Sequence, residues 1–86
     1  METTQKPVSV TLLLFAAARE AAGTGREELR ASTVADVLDQ ARRRYGPDFA
    51  AVLDGSRVWL NGEPTLDTEY LRPGDEVAVL PPVSGG

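Results

Sequence analysis

At 86 residues the chain has room for one domain with one modest core, because a domain this small buries only about 60% of the surface its unfolded chain exposes. Its 42% hydrophobic and 26% charged residues are those of an ordinary globule, while a formal charge of -4 and a pI near 4.6 set the field against phosphate backbones and anionic lipid. With no Cys and no His, disulfides, thiolate nucleophiles, imidazole bases and nearly every zinc site are excluded, so catalysis by this chain alone would rest on carboxylates, hydroxyls and Lys6.

Met1 to Pro7 is polar, with neither the basic start nor the apolar stretch of a signal peptide, and is expected to be flexible. No apolar run approaches the roughly 20 residues that span a bilayer. The expected compartment is therefore the cytoplasm, with neither a membrane nor nucleic acid as partner.

Val8 to Phe15 reads as the first strand, with Val8, Val10, Leu12 and Leu14 on one face and Leu13 and Phe15 on the other. A strand apolar on both sides near its end calls for something to cover the second face. Ala16 to Ala22 suits a short helical turn stopped by Gly23 and Gly25, and Arg26 to Arg30 suits a second strand paired with the first. From Thr33 to Tyr45, the residues Val34, Val37, Leu38, Ala41 and Tyr45 fall at helical spacing. Thr33 is the expected N-cap with Asp36 three residues on, and Gly46-Pro47 ends the helix. Arg42, Arg43 and Arg44 in the last turn meet the negative end of the helix dipole.

A loop containing Phe49, Val52 and Leu53 is expected next, then a strand at Arg57 to Leu60 and a type I′ turn at Asn61-Gly62. Pro64 to Leu66 can form only a short return or an edge, since proline donates no ladder hydrogen bond. Arg72-Pro73-Gly74-Asp75 has the residues of a type II turn, and Glu76 to Leu80 is the last strand, stopped by Pro81-Pro82. The order predicts an α+β fold of the β-grasp (ubiquitin-like) type: a mixed sheet of four to five strands with one main helix packed on one face. A ferredoxin-like fold would need a second long helix between residues 47 and 75, against the Gly, Pro and Asn found there. The expected division is a β-grasp domain over 1–80 and a flexible functional tail over 81–86.

The tail carries the chemistry. Leu80-Pro81-Pro82-Val83-Ser84-Gly85-Gly86 leads from a strand through two stiff prolines to two glycines. The residues past Leu80 span roughly 20 Å when extended, enough to bring a terminal carboxyl into a buried site of another protein through a passage that excludes branched side chains. A carboxylate is a poor electrophile. Adenylation with ATP would make it an acyl adenylate open to a sulfur donor, and the product would be a thiocarboxylate, a tethered sulfur nucleophile oriented by binding of the globular part.

With Phe15, Asn61-Gly62, Gly74-Asp75-Glu76-Val77 and Pro81-Pro82-Val83-Ser84-Gly85-Gly86 in view, the chain from Val8 onward resembles the molybdopterin synthase sulfur-carrier (small) subunit. The resemblance implies that an E1-like adenylating enzyme activates Gly86 with ATP, that a sulfur donor protein supplies the sulfur, and that the loaded tail enters the synthase large subunit. Sulfur then passes to a cyclic pyranopterin precursor in a heterotetrameric complex. It makes Gly86 the reactive residue and Gly85 its companion, and places Phe15, Leu80, Pro81, Pro82, Val83 and Ser84 at the partner interface. It implies no bound cofactor or metal, and no enzymatic activity of this chain alone. Trp59 receives no role. Sulfur carriers for thiamine, cysteine or tRNA thiolation, and ubiquitin-like protein modifiers, are the alternative readings.

Overall fold

The computed structural model describes residues 6–82. The chain runs β1 (Val8–Leu14), α1 (Ala16–Ala22), β2 (Arg26–Ala31), α2 (Val34–Tyr45), α3 (Pro47–Asp54), β3 (Arg57–Leu60), β4 (Glu63–Pro64) and β5 (Glu76–Leu80). The strands form one mixed sheet in the order β2-β1-β5-β3-β4. Its two central strands, β1 and β5, are parallel, and β2 and β3 pair antiparallel on either side of them. This is the expected ubiquitin-like β-grasp.

The alternation along β1 and β5 decides where the core lies. Val10, Leu12, Leu14, Val77 and Val79 are buried, and so are Val34, Val37, Leu38 and Ala41 of α2, whose helical spacing turns one stripe to the sheet. Thr33 caps α2 by accepting the Asp36 N–H at 3.1 Å. Asp36 in turn accepts from the N–H of Ser32 at 3.0 Å, one residue before the place a standard capping box would reach. At the other end, Arg42 lies 3.2 Å from Asp54, and Arg44 lies 2.7 Å from Glu27.

The loop expected around Phe49 is a helix instead. Pro47 sits in the first turn of α3, where its missing N–H would have had no intrahelical partner anyway. Phe49, Val52 and Leu53 then share one side at helical spacing; Phe49 and Leu53 are buried, and the Phe49 ring packs 5.1 Å from that of Tyr45. Gly46-Pro47 ends one helix and begins the next, so one main helix and two shorter ones cover the sheet.

The two expected turns set the strands that flank the tail. Asn61 and Gly62 adopt φ of 51 and 85, the left-handed pair a type I′ turn requires, and Pro64 follows in the edge strand β4. Gly74 at φ 88 completes the turn closed by Asp75 N–H donating to the Arg72 carbonyl at 3.1 Å.

Candidate functional site

The helices supply their buried residues to one core cluster on the face that carries Leu12 and Val77. The opposite face presents the other half of each strand. Register partners share a face, so the pairings Arg26–Leu13, Leu13–Ala78, Ala78–Trp59 and Trp59–Pro64 draw one row across all five strands. Beside that row, Leu80 pairs with Arg57 at one end, and Thr11 pairs with both Glu28 and Glu76 at the other. Leu13, Ala78, Trp59 and Leu80 are only half-buried. The cover expected for the second face of β1 is thus not supplied by the helices, and a contiguous apolar strip stays open.

β5 is tied by backbone hydrogen bonds to β1 on one side and β3 on the other, which fixes the direction in which the chain leaves the sheet. The last β1–β5 partners are Leu14 and Val79, and the residues that follow them are Phe15 and Leu80. These two predicted residues therefore come together at the same end of the sheet. Phe15, 46% exposed, has an extended backbone and precedes Ala16, whose φ of 49 is unusual for a residue with a side chain. Pro81 is half-buried and Pro82 exposed. The predicted residues Val83, Ser84, Gly85 and Gly86 lie outside the described residues.

Trp59, for which the sequence alone suggested no part, stands in the middle of the open face. The alternation Val58-Trp59-Leu60 carried the signal. Choosing between its faces needed the register that sets Val58 beside buried Val79 and Trp59 beside half-exposed Ala78.

The helical side offers a different surface. A cavity of about 290 Å³ is lined by Leu29, Gln40, Ala41, Arg43, Arg44 and Tyr45. The Tyr45 hydroxyl donates to Glu27 at 3.2 Å, and burial, reinforced by the negative charge of Glu27, raises the phenol above its ordinary range. It stays protonated and is no base at neutral pH. Among the described residues no cluster of acidic groups could hold a metal ion, and no helix is long and apolar enough to cross a membrane.

A β-grasp sheet with one covered face, one open apolar face and a central strand running out into a Pro-Pro-Val-Ser-Gly-Gly sequence defines a ubiquitin-like carrier domain. The sequence matches the ThiS family over residues 12–86, and the chain belongs to that family. Among its relatives, the molybdopterin synthase sulfur carrier subunit of Drosophila ananassae is 38% identical over 85 residues, with 92% of each chain covered. The protein of the same name from Arabidopsis thaliana is 35% identical over 82 residues, covering 92% of this chain and 84% of the relative. Among solved structures, the small archaeal modifier protein 1 of Methanosarcina acetivorans superimposes with a TM-score of 0.80 at 32% identity, covering 93% of this chain and 98% of the other.

Proposed function

We propose that this chain is a sulfur carrier whose Gly86 carboxylate is converted to a thiocarboxylate, and that it serves as the small subunit of molybdopterin synthase. The carboxylate attacks the α-phosphate of ATP on an E1-like activating enzyme and releases pyrophosphate. Sulfur delivered at the sulfide level by a sulfur donor protein then attacks the acyl carbon and displaces AMP, which leaves the thiocarboxylate. The synthase large subunit receives the loaded tail, and the sulfur passes to a cyclic pyranopterin precursor. The chain carries and orients the sulfur, while the other proteins supply the sulfur and the chemistry, so it is not an enzyme by itself.

The observation that carries this reading is the direct continuation of the central strand β5 into Pro81-Pro82-Val83-Ser84-Gly85-Gly86 on a chain of the ThiS family. A strand anchored on both edges holds Leu80 at the root of the tail, and the two prolines that follow it have fixed φ and cannot extend the sheet pairing. The division follows: residues 1–80 form the docking domain and 81–86 the working tail. The open face bearing Phe15, Leu13, Trp59 and Leu80 surrounds that root and is the docking surface for the large subunit, since a contiguous apolar patch of this kind marks a binding site.

An intact mass of the protein from its own cells tests the chemistry. A species in which one terminal oxygen is replaced by sulfur supports it, and a carboxylate alone under conditions of active molybdopterin synthesis refutes it. Adding a residue after Gly86, or deleting Gly86, should abolish sulfur transfer and leave the fold unchanged.

The similarity to small archaeal modifier protein 1 favours a second reading, in which Gly86 is joined to lysines of other proteins. Gly-Gly remnants on lysines that disappear when this chain is deleted would support it.

A further inference from the structure

The outward rows of the strands carry three cations, Arg26, Arg30 and Arg57, and two of them are committed within the chain. Arg26 lies 3.3 Å from Glu28. Arg30 donates to the Pro7 carbonyl at 3.0 Å and to the Ser9 hydroxyl at 3.5 Å. Arg57 is exposed and makes no side-chain hydrogen bond or ion pair with any described residue.

Its place in the sheet gives that freedom a direction. Arg57 opens β3 and pairs with Leu80, the last residue of β5, so its charge stands beside the point where the tail departs. Glu76, on the same outward row of β5, is four residues back from Leu80, a rise of roughly 13 Å and more than one and a half Debye lengths in physiological salt. Glu28 lies level with Glu76 across Thr11. The open face thus carries Arg57 where the tail leaves, an apolar strip through Leu13, Ala78 and Trp59, and at the far end a mixed group of Glu76, Glu28 and Arg30. A partner covering the apolar strip would exclude water from its margins and strengthen an ion pair made there.

We propose that Arg57 is a specificity-determining docking residue, which pairs with a carboxylate on the large-subunit protein at the mouth of the passage that takes in the tail. The inference rests on the docking reading above and adds to it the sign of the partner's charge and the place where it lies. Like-charge juxtaposition rejects wrong partners, and opposite charge at the rim speeds encounter and fixes orientation.

The test is a binding titration of the full chain with the synthase large subunit from the same organism, at low and at high salt. Wild type is compared with Arg57→Glu, Arg57→Lys and Arg43→Glu, the last an exposed arginine on the helical side. Arg57→Glu should weaken binding about tenfold or more at low salt, mainly by slowing association, and the deficit should shrink at high salt. Arg57→Lys should retain most of the affinity, Arg43→Glu should bind like wild type, and all should unfold at wild-type denaturant concentrations. Wild-type binding with an unchanged Arg57→Glu affinity overturns the role of Arg57 and leaves the docking reading standing. Failure of wild type itself to bind overturns the docking reading, and this inference with it.

Discussion

The side-chain amide of Asn61 donates to the Asp75 carboxylate at 2.9 Å, and its oxygen accepts the Glu76 N–H at the same distance, so one residue of the β3–β4 turn clamps the start of β5. The strand that leads into the tail is thereby held at its first residue, the end opposite the tail, by a turn from elsewhere in the chain. Asp75 also accepts the Arg72 N–H at 2.8 Å, which closes the second turn onto the first.

Replacing Asn61 by alanine removes both bonds and places a Cβ-bearing residue without local hydrogen bonding at φ 51. A loss of about 2 kcal/mol is expected. Asn61→Asp keeps the acceptor for the Glu76 N–H but sets a second carboxylate against Asp75, and should be destabilising as well. Urea denaturation midpoints of the two variants measure both effects.

Phe49→Ala tests whether α3 belongs to the core. Its ring is fully buried and packs at a tilt against that of Tyr45, so truncation should cost about 3–5 kcal/mol, a large part of the roughly 5–15 kcal/mol that holds a domain of this kind together. If residues 47–54 were a peripheral loop, the substitution would shift the thermal midpoint only slightly.

Tyr45 gives stability an alkaline limit. Its phenol titrates above the ordinary value of 10.0 because of burial and the neighbouring Glu27 carboxylate. The folded state therefore holds its proton where the unfolded state has begun to lose it. The contribution is complete below pH 10.0 and is lost as pH rises through the folded value. Wild type should lose stability relative to Tyr45→Phe above that pH and run parallel to it below, as chemical denaturation across the range would show.

Trp59 is expected to be an energetic centre of docking. Trp59→Ala should cut affinity for the large subunit tenfold or more, because aromatic side chains at the middle of a desolvated patch dominate binding. The outward face contributes little to the core, so the variant should still unfold cooperatively. Calorimetric titration together with a denaturation curve separates the two properties; wild-type affinity in this variant would place docking elsewhere.

Most local elements were legible because their signals are short-range. The I′ turn needs only Asn61-Gly62, the cap of α2 needs Thr33 and Asp36, and the bounds of β3 and β5 follow from two-residue alternation between turns. The misread segment is equally local in cause. Gly46-Pro47 marks a helix end and a helix start with the same two residues, and eight residues are too few for periodicity to decide between them.

By itself the sequence determined the β-grasp order of strands and main helix and supplied the Pro-Pro-Val-Ser-Gly-Gly segment on which the proposed carrier role rests, because turns, caps and backbone stiffness are properties of neighbours along the chain. The tertiary structure decided which face of the sheet stays open, that Phe15 and Leu80 lie at the same end of it, and that Arg57, without a side-chain partner among the described residues, pairs in register with Leu80. Those relations depend on strand register, which is set by burying Leu12, Val77 and Val79 together; a slip of one residue would exchange the two faces and remove the open apolar strip beside the root of the tail.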